Sequence, residues 1–170
     1  MRQLILMRHG KAEAGTGQGD HGRALTGRGR AEALEAGRRL AALARPGAVL
    51  VSDSTRTRQT IEGAAPALPA GLPCRFTRAL YGATPAAILA EVRATPPDVA
   101  CLLVVGHNPG MGDLARGLAA EGEPEALARL ARGFPTSCFA ILDLAAEDWA
   151  AAGAPGRLRF LLSADERSGA

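Results

Sequence analysis

The sequence predicts an α/β fold, a three-layer αβα sandwich in which a mostly parallel sheet is covered by helices on both faces. Three observations point there. Residues 3–7, 48–51 and 101–105 are short, unbroken apolar runs, the pattern of strands buried on both sides rather than one. Segments of helical period separate these runs, and that alternation is how parallel strands are joined by crossover helices. Each run also empties into a polar cluster: Arg8-His9, then Ser52 to Arg56, then Gly106-His107. Ligands of open α/β sheets bind at the carboxyl ends of the strands, so the clusters are expected to meet at one edge.

Taken in order, Gln3 to Met7 form the first strand, stopped by Arg8-His9-Gly10. Gly10 to about Leu25 is a long glycine-rich loop with no sustained period, and a loop of that length in a compact domain is usually functional or mobile. Thr26 caps a helix whose inward face carries Ala33, Leu34, Gly37, Leu40, Ala41 and Ala44, and Pro46-Gly47 stops it. A second strand, Ala48 to Val51, leads through Ser52-Asp53-Ser54 into a helix from Thr55 to about Ala65. Residues 66–73 read as a Pro/Gly linker and Cys74 to Thr77 as a short strand. Thr84-Pro85 opens a helix carried by Ile88, Leu89 and Val92 and broken at Pro96-Pro97. Cys101 to Val105 is the clearest strand. Met111, Leu114, Ala115 and Leu118 then keep helical spacing, residues 124–132 form another helix, and 138–144 and 157–163 close the chain as strands. No repeat or boundary interrupts the 170 residues, and one domain spanning 1–170 is expected.

Composition narrows the function. The chain is 47% hydrophobic with a net charge of +3, and its positive charge is almost entirely arginine, with Lys11 the sole lysine. Tyr81, Trp149 and the four phenylalanines stand apart from basic runs, which argues against the stacking platforms of nucleic-acid binders. Cys74, Cys101 and Cys138 are odd in number and far apart, a poor match to a disulfide framework or zinc site, and Cys101 and Cys138 read as buried thiols. The N-terminus lacks a signal-like apolar region and no stretch approaches a membrane span, so a cytoplasmic protein with no membrane partner is expected.

Arg8, His9, Arg56 and His107 at one sheet edge would make a site for a tetrahedral anion. Guanidinium forks match phosphate oxygens and supply the charge that phosphoryl transfer develops. Backbone amides of the helices after residues 54 and 108 are expected to add to it. No Walker lysine loop or G-x-G-x-x-G is present, and Asp20, Asp53 and Asp113 are isolated, so neither a nucleotide fold nor a metal is expected. A histidine attacks phosphorus only when neutral, and the neighbouring arginines would hold it so.

Met7-Arg8-His9-Gly10, Ser52-Asp53-Ser54-Thr55-Arg56-Thr57-Arg58-Gln59-Thr60 and Val105-Gly106-His107-Asn108-Pro109 resemble, in order and spacing, the histidine phosphatase superfamily. Asp20-x-x-Arg23-x-Leu25-Thr26-x-x-Gly29, Leu80-Tyr81 and the short chain are similar to its phosphohistidine phosphatase, SixA-like, branch. The resemblance covers about residues 3–118. It implies a phosphoglycerate mutase-like αβα fold, a phosphohistidine intermediate at His9, and a phosphate pocket of Arg8, Arg56 and His107. It also implies Arg23 as a rim contact, Asn108 as a further substrate contact, and no metal or organic cofactor. His21 is expected at the surface.

Wider members of the superfamily carry an acidic general acid after the third strand, but Leu80-Tyr81-Gly82-Ala83-Thr84-Pro85 has no carboxylate. An alkoxide leaving group needs a proton that a histidine leaving group needs far less, which favours phosphohistidine on a partner protein, a histidine-containing phosphotransfer domain or phosphocarrier. Three alternatives stand beside this. A small-molecule phosphomonoesterase or mutase would borrow Glu13 or Asp20 as acid, a regulatory module would bind phosphate without turnover, and a metal site would use His9, His21 and His107.

Overall fold

The computed structural model describes residues 1–15, 17 and 19–163. Its elements are β1 (Arg2–Arg8), α1 (Gly27–Leu43), β2 (Ala48–Ser52), α2 (Thr55–Ala64), β3 (Cys74–Thr77), α3 (Pro85–Arg93), β4 (Cys101–Gly106), α4 (Gly110–Leu118), β5 (Ala119–Gly122), α5 (Pro124–Arg132), β6 (Phe139–Leu144) and β7 (Gly156–Leu162). The strands form one sheet in the order β3-β2-β4-β1-β6-β7-β5. Adjacent pairs are parallel except β1–β6 and β6–β7, so β6 alone among these seven strands runs against the others.

The apolar runs at the centre are buried on both faces for a reason visible residue by residue. Leu4, Leu6, Leu102 and Val104 point into a core shared with Ile88, Val92, Met111 and Leu114 of α3 and α4. Ile5, Met7, Leu103 and Val105 point the other way, against Ala36 and Leu40 of α1 and Ile61 and Ala64 of α2. Strand side chains alternate faces, so an uninterrupted apolar run is what two helical layers require. These are the three layers expected of the sequence.

Local signals act as expected at the helix starts. The Thr26 hydroxyl accepts from the Gly29 amide, and the Thr84 hydroxyl from that of Ala87 with Pro85 in the first turn. Within α1 the buried face is Ala33, Ala36, Gly37 and Leu40, while Leu34 and Ala41 are only half-buried. Gly37 is there because α1 and α2 touch backbone to backbone: a Cβ at Gly37 would lie 2.6 Å from the Ala64 carbonyl oxygen.

Two differences from expectation are physical. The long loop after β1 is closed at its base by an Ala12–Leu25 bridge, with the Thr26 amide donating to the Lys11 carbonyl and that of Glu13 to Ala24. The edge strand β5 has no counterpart in the reading of the sequence. Ala-Ala-Glu-Gly has little strand preference of its own, and it is extended only because β7 offers it a parallel partner. Cys101 and Cys138 are buried as expected, and burial pushes their thiols up to about 11 and about 12; Cys74 is exposed. No helix among the described residues is long and apolar enough to cross a membrane.

Candidate active site

Arg8 is the last residue of β1, Ser52 the last of β2, and Gly106 the last of β4. These neighbouring parallel strands deliver His9, Arg56 and His107 to one mouth, a cavity of about 430 Å³ that is also lined by Arg8, Lys11, Asp20, Arg23, Tyr81 and Asn108. The four residues expected to converge do converge. Arg56 is 5% exposed and His9 and His107 are each 7% exposed, so none belongs to a solvated face.

His9 is fixed by its own turn. Its Nδ1 lies 2.7 Å from the Gly10 carbonyl oxygen, which can only accept, so Nδ1 carries the proton. The lone pair therefore sits on Nε2, and Arg56 Nε donates to it at 3.3 Å. Burial holds the imidazole down to about 4, with the charges of Arg56, Arg8 and Arg23 acting in the same sense and the Gly10 bond opposing. The arginines expected to prepare His9 thus act after burial. His107 is held down to about 3, again chiefly by burial and then by Arg56. Its Nε2 meets Ser52 Oγ at 2.7 Å, and its buried Nδ1 and Arg8 Nε have no hydrogen-bond partner in the protein.

The glycine of Arg8-His9-Gly10 is a matter of space. A Cβ there would sit 2.6 Å from the Gly29 carbonyl oxygen, and one at Gly29 would collide with the Lys11 carbonyl. The loop after His9 therefore lies directly on the first turn of α1. Glu32 of that helix, though buried, accepts from the Lys11 amide and the Thr136 hydroxyl and pairs with Arg28. From the far side Ser137, at a φ of 56°, donates its amide to the His9 carbonyl, and the Arg8 amide donates to Cys138.

The Ser52–Thr60 segment divides its labour by helical spacing. Arg56 and Thr60 share a face: Thr60 Oγ1 donates to the Arg56 carbonyl and accepts from the Gly10 amide. Gln59 accepts from the Leu25 amide, whereas Arg58 points outward over the Phe76 ring, 4.1 Å from its centroid.

Asp20, expected to be isolated, is the most connected side chain at the rim. Arg56 donates from Nη1 to its carbonyl at 2.7 Å and from Nη2 to its carboxylate at 3.0 Å, Arg23 pairs with it at 2.9 Å, and the Tyr81 hydroxyl donates to it. The Tyr81 bond and then the Arg56 contact hold this carboxyl well below the usual carboxylate range, so it is ionised at neutral pH. Arg23 lines the cavity as a rim residue while bound to Asp20 and the Glu13 carbonyl.

Asn108, expected as a substrate contact, lines the cavity and has one protein partner on each polar atom. Its Nδ2 donates to the Phe134 carbonyl at 2.6 Å and its Oδ1 accepts from the Gly112 amide at 3.2 Å. Of the helix amides expected to meet the anion, that of Thr55 instead donates to the His21 carbonyl, that of Met111 to the His107 carbonyl and that of Gly112 to Asn108 Oδ1. His21, expected at the surface, is half-buried, with Nε2 at 2.7 Å from Asp53 and its ring edge-on to Tyr81 at 4.8 Å. Tyr81 is in turn edge-on to His107 at 5.4 Å. Ser52, Thr60 and Tyr81 have no site role in the reading of the sequence, and Asp20 has one only as the acid of the ester alternative, although each lies within or beside the motifs. Among the described residues, no group of three or more His, Cys, Asp or Glu side chains is placed to hold a metal ion.

Comparison with known proteins bears on the family and the fold. The model of the histidine phosphatase superfamily, branch 1, matches residues 4–81. The putative phosphohistidine phosphatase SixA from Nakamurella multipartitia is similar over 95% of both chains, with 34% identity and a TM-score of 0.82. The chain belongs to the histidine phosphatase superfamily. A second solved structure, the protein histidine phosphatase SixA complexed with tungstate, shares 27% identity over 95% of this chain and 97% of that one, with a TM-score of 0.77. The uncharacterized protein Rv1276c of Mycobacterium tuberculosis is 42% identical over 147 residues, 85% of this chain and 90% of its own. A mycobacterial glucosyl-3-phosphoglycerate phosphatase, 18% identical with a TM-score of 0.65 over 92% of this chain and 96% of its own, shares the fold. The residues matched by the superfamily's model take in β1, Arg8, His9 and Arg56.

Proposed function

We propose that this phosphatase removes phosphoryl groups from phosphohistidine on a partner protein, through a phosphohistidine intermediate at His9. The observation that carries the reading is the tautomer of His9: with Nδ1 donating to Gly10, the Nε2 lone pair faces Arg56 in the arginine-lined cavity, and the ring is neutral at physiological pH. Arg8, Arg56 and His107 hold the phosphoryl oxygens, and an oxygen reaching the terminal nitrogens of Arg56 displaces Asp20 from them. His9 Nε2 forms a bond to phosphorus as the substrate's N–P bond breaks, and its electron pair leaves with the imidazole, which takes a proton from solvent. Water then attacks the phosphorylated His9, releasing inorganic phosphate and restoring the imidazole. Splitting hydrolysis this way leaves each displacement only an in-line geometry to organise.

Asp20 supports the choice of substrate. It is the carboxylate lining the cavity, and Tyr81 and Arg23, which stay on it when a phosphoryl oxygen takes Arg56, keep it ionised, a state in which it donates no proton to an alkoxide. A phosphate ester would pay for that missing acid with ~10²–10⁴ in rate, a penalty a phosphoramidate escapes. Arg23 acts at the rim by holding Asp20, and Asn108 by seating the start of α4.

The test is to mix the enzyme with a phosphohistidine protein, quench in denaturant and locate the label. An acid-labile, base-stable phosphoryl group on His9, absent from His9→Ala, is expected. Wild-type turnover by His9→Ala overturns the reading, and comparable rates on 3-phosphoglycerate redirect it to small phosphate esters.

A further inference from the structure

Ser52 is the last residue of β2, fully buried, and its hydroxyl meets His107 Nε2 at 2.7 Å. Its backbone is held from the start of α2. Thr57 Oγ1 donates to the Ser52 carbonyl at 2.7 Å and lies 2.7 Å from Ser54 Oγ, and both of these side chains are fully buried as well. The Ser52 hydroxyl is thus fixed against the His107 ring by its surroundings.

His107 lines the catalytic cavity and has two ring nitrogens to offer. Nε2 is committed to Ser52, which leaves Nδ1 as the nitrogen for a bound oxygen, and Nδ1 is buried without a hydrogen-bond partner in the protein. Such an orphan is costly, and folded proteins keep few of them. Burial and then Arg56 hold the ring down to about 3, so at neutral pH it carries one proton, on one nitrogen or the other. The two choices differ at the site. With the proton on Nε2, Ser52 accepts, and the lone pair left on Nδ1 repels a phosphoryl oxygen. With the proton on Nδ1, Ser52 donates, and Nδ1 has a hydrogen bond to give. A serine hydroxyl serves in either sense, but only the second makes His107 useful toward an anion.

We infer that Ser52 is a positioning residue: its hydroxyl donates to His107 Nε2 and so keeps the ring proton on Nδ1, which donates to a phosphoryl oxygen of the substrate. The inference rests on the proposed role of His107 in holding the phosphoryl group and adds what readies the ring for it. His9, whose ring centroid is 5.3 Å away, is the counterpart. There an acceptor, the Gly10 carbonyl, takes the Nδ1 proton and leaves Nε2 bare for attack. Here a donor covers Nε2 and leaves Nδ1–H for binding. Both rings carry the same tautomer, and their opposite partners turn one into a nucleophile and the other into a hydrogen-bond donor.

The chain has three histidines, so long-range 1H–15N correlations of the rings, assigned with His9→Ala and His107→Ala, read each tautomer directly. His107 of the free wild-type protein at pH 7 is expected as the Nδ1–H form, and Ser52→Ala is expected to shift much of it to the Nε2–H form. Inorganic phosphate is the probe of the site. Its Kd is expected to rise about three- to tenfold in Ser52→Ala, the worth of one hydrogen bond. The rise should equal the reciprocal of the fraction of His107 that keeps the Nδ1 proton, because only that fraction is competent to bind. Made on top of His107→Ala, the same substitution should change the phosphate Kd no further, since Ser52 acts through that ring. An Nε2–H ring in the wild type, wild-type phosphate affinity in Ser52→Ala, or weaker binding without a change of tautomer overturns the inference. If His107→Ala still weakens phosphate binding in such a case, the proposed site stands without Ser52. A wild-type phosphate Kd in His107→Ala overturns the proposed role of His107 as well. Should Ser52→Ala fail to fold, the wild-type tautomer alone decides.

Discussion

At the scale of the residue, His9 shows how one side chain receives its chemistry from three directions. The Gly10 carbonyl chooses its tautomer, burial keeps it neutral, and Arg56 faces its lone pair. A pH profile follows. The neutral ring attacks, and it is lost only as pH falls through about 4, so kcat/KM is expected to stay level from pH 7 to about 5 and to drop below, measured with phosphoramidate. An acid limb centred near the ordinary histidine value of 6.5 would mean that His9 is not the group whose protonation matters. The same scale shows why Asp20 suggests itself from the sequence as an acid and not as a partner of Arg56: nothing within Gly19-Asp20-His21 announces that Arg56, thirty-six positions away, will bind it.

At the scale of the element, the approach of α1 to α2 makes Gly37 the informative position. Helix propensity alone favours Gly37→Ala by about 1 kcal/mol. Against this, the new Cβ would stand 2.6 Å from the Ala64 carbonyl oxygen and 2.7 Å from its Cα, backbone atoms that yield only if the helices part. Overpacking of this kind costs about 1–3 kcal/mol, so the clash wins and a lower denaturant midpoint is expected, with the turnover of the remaining folded enzyme intact. A stabilised Gly37→Ala protein would show that the two helices separate freely. Helix starts were legible because Thr26 and Thr84 carry their own caps, whereas β5 was not, because its only reason to be extended is β7.

At the scale of the whole molecule, burying two histidines at the sheet edge couples folding to pH. His9 and His107 titrate near 4 and 3 in the folded protein, below the ordinary 6.5, so the unfolded chain binds more protons between those values. Stability is therefore complete above about pH 7 and falls as pH drops from 6.5 toward 4, by roughly 1.4 kcal/mol per unit for each ring. Asp20 and Asp53, held low, add their loss only below the ordinary carboxylate range, so the histidines act alone within this window among these four groups. Urea midpoints at pH 7, 5.5 and 4.5 should fall accordingly, and His107→Asn should flatten the slope. Equal slopes in the two proteins would remove His107 from the account.

What the sequence determined by itself was the architecture and the four central side chains. Apolar runs buried on two faces, separated by helical periods, admit few arrangements, and polar residues placed directly after such runs must emerge at the strands' carboxyl ends. Arg8, His9, Arg56 and His107 were legible for that reason. What only the tertiary structure decided was their state and surroundings. The ionised Asp20 held between Arg56 and Tyr81 and the partners of the Asn108 side chain depend on contacts between segments far apart in the chain, and the His9 tautomer on the turn by which the Gly10 carbonyl meets its neighbour's ring. Local pattern carries the period of an element and the place of its ends, whereas a partner across the fold is known only once the chain has closed on it.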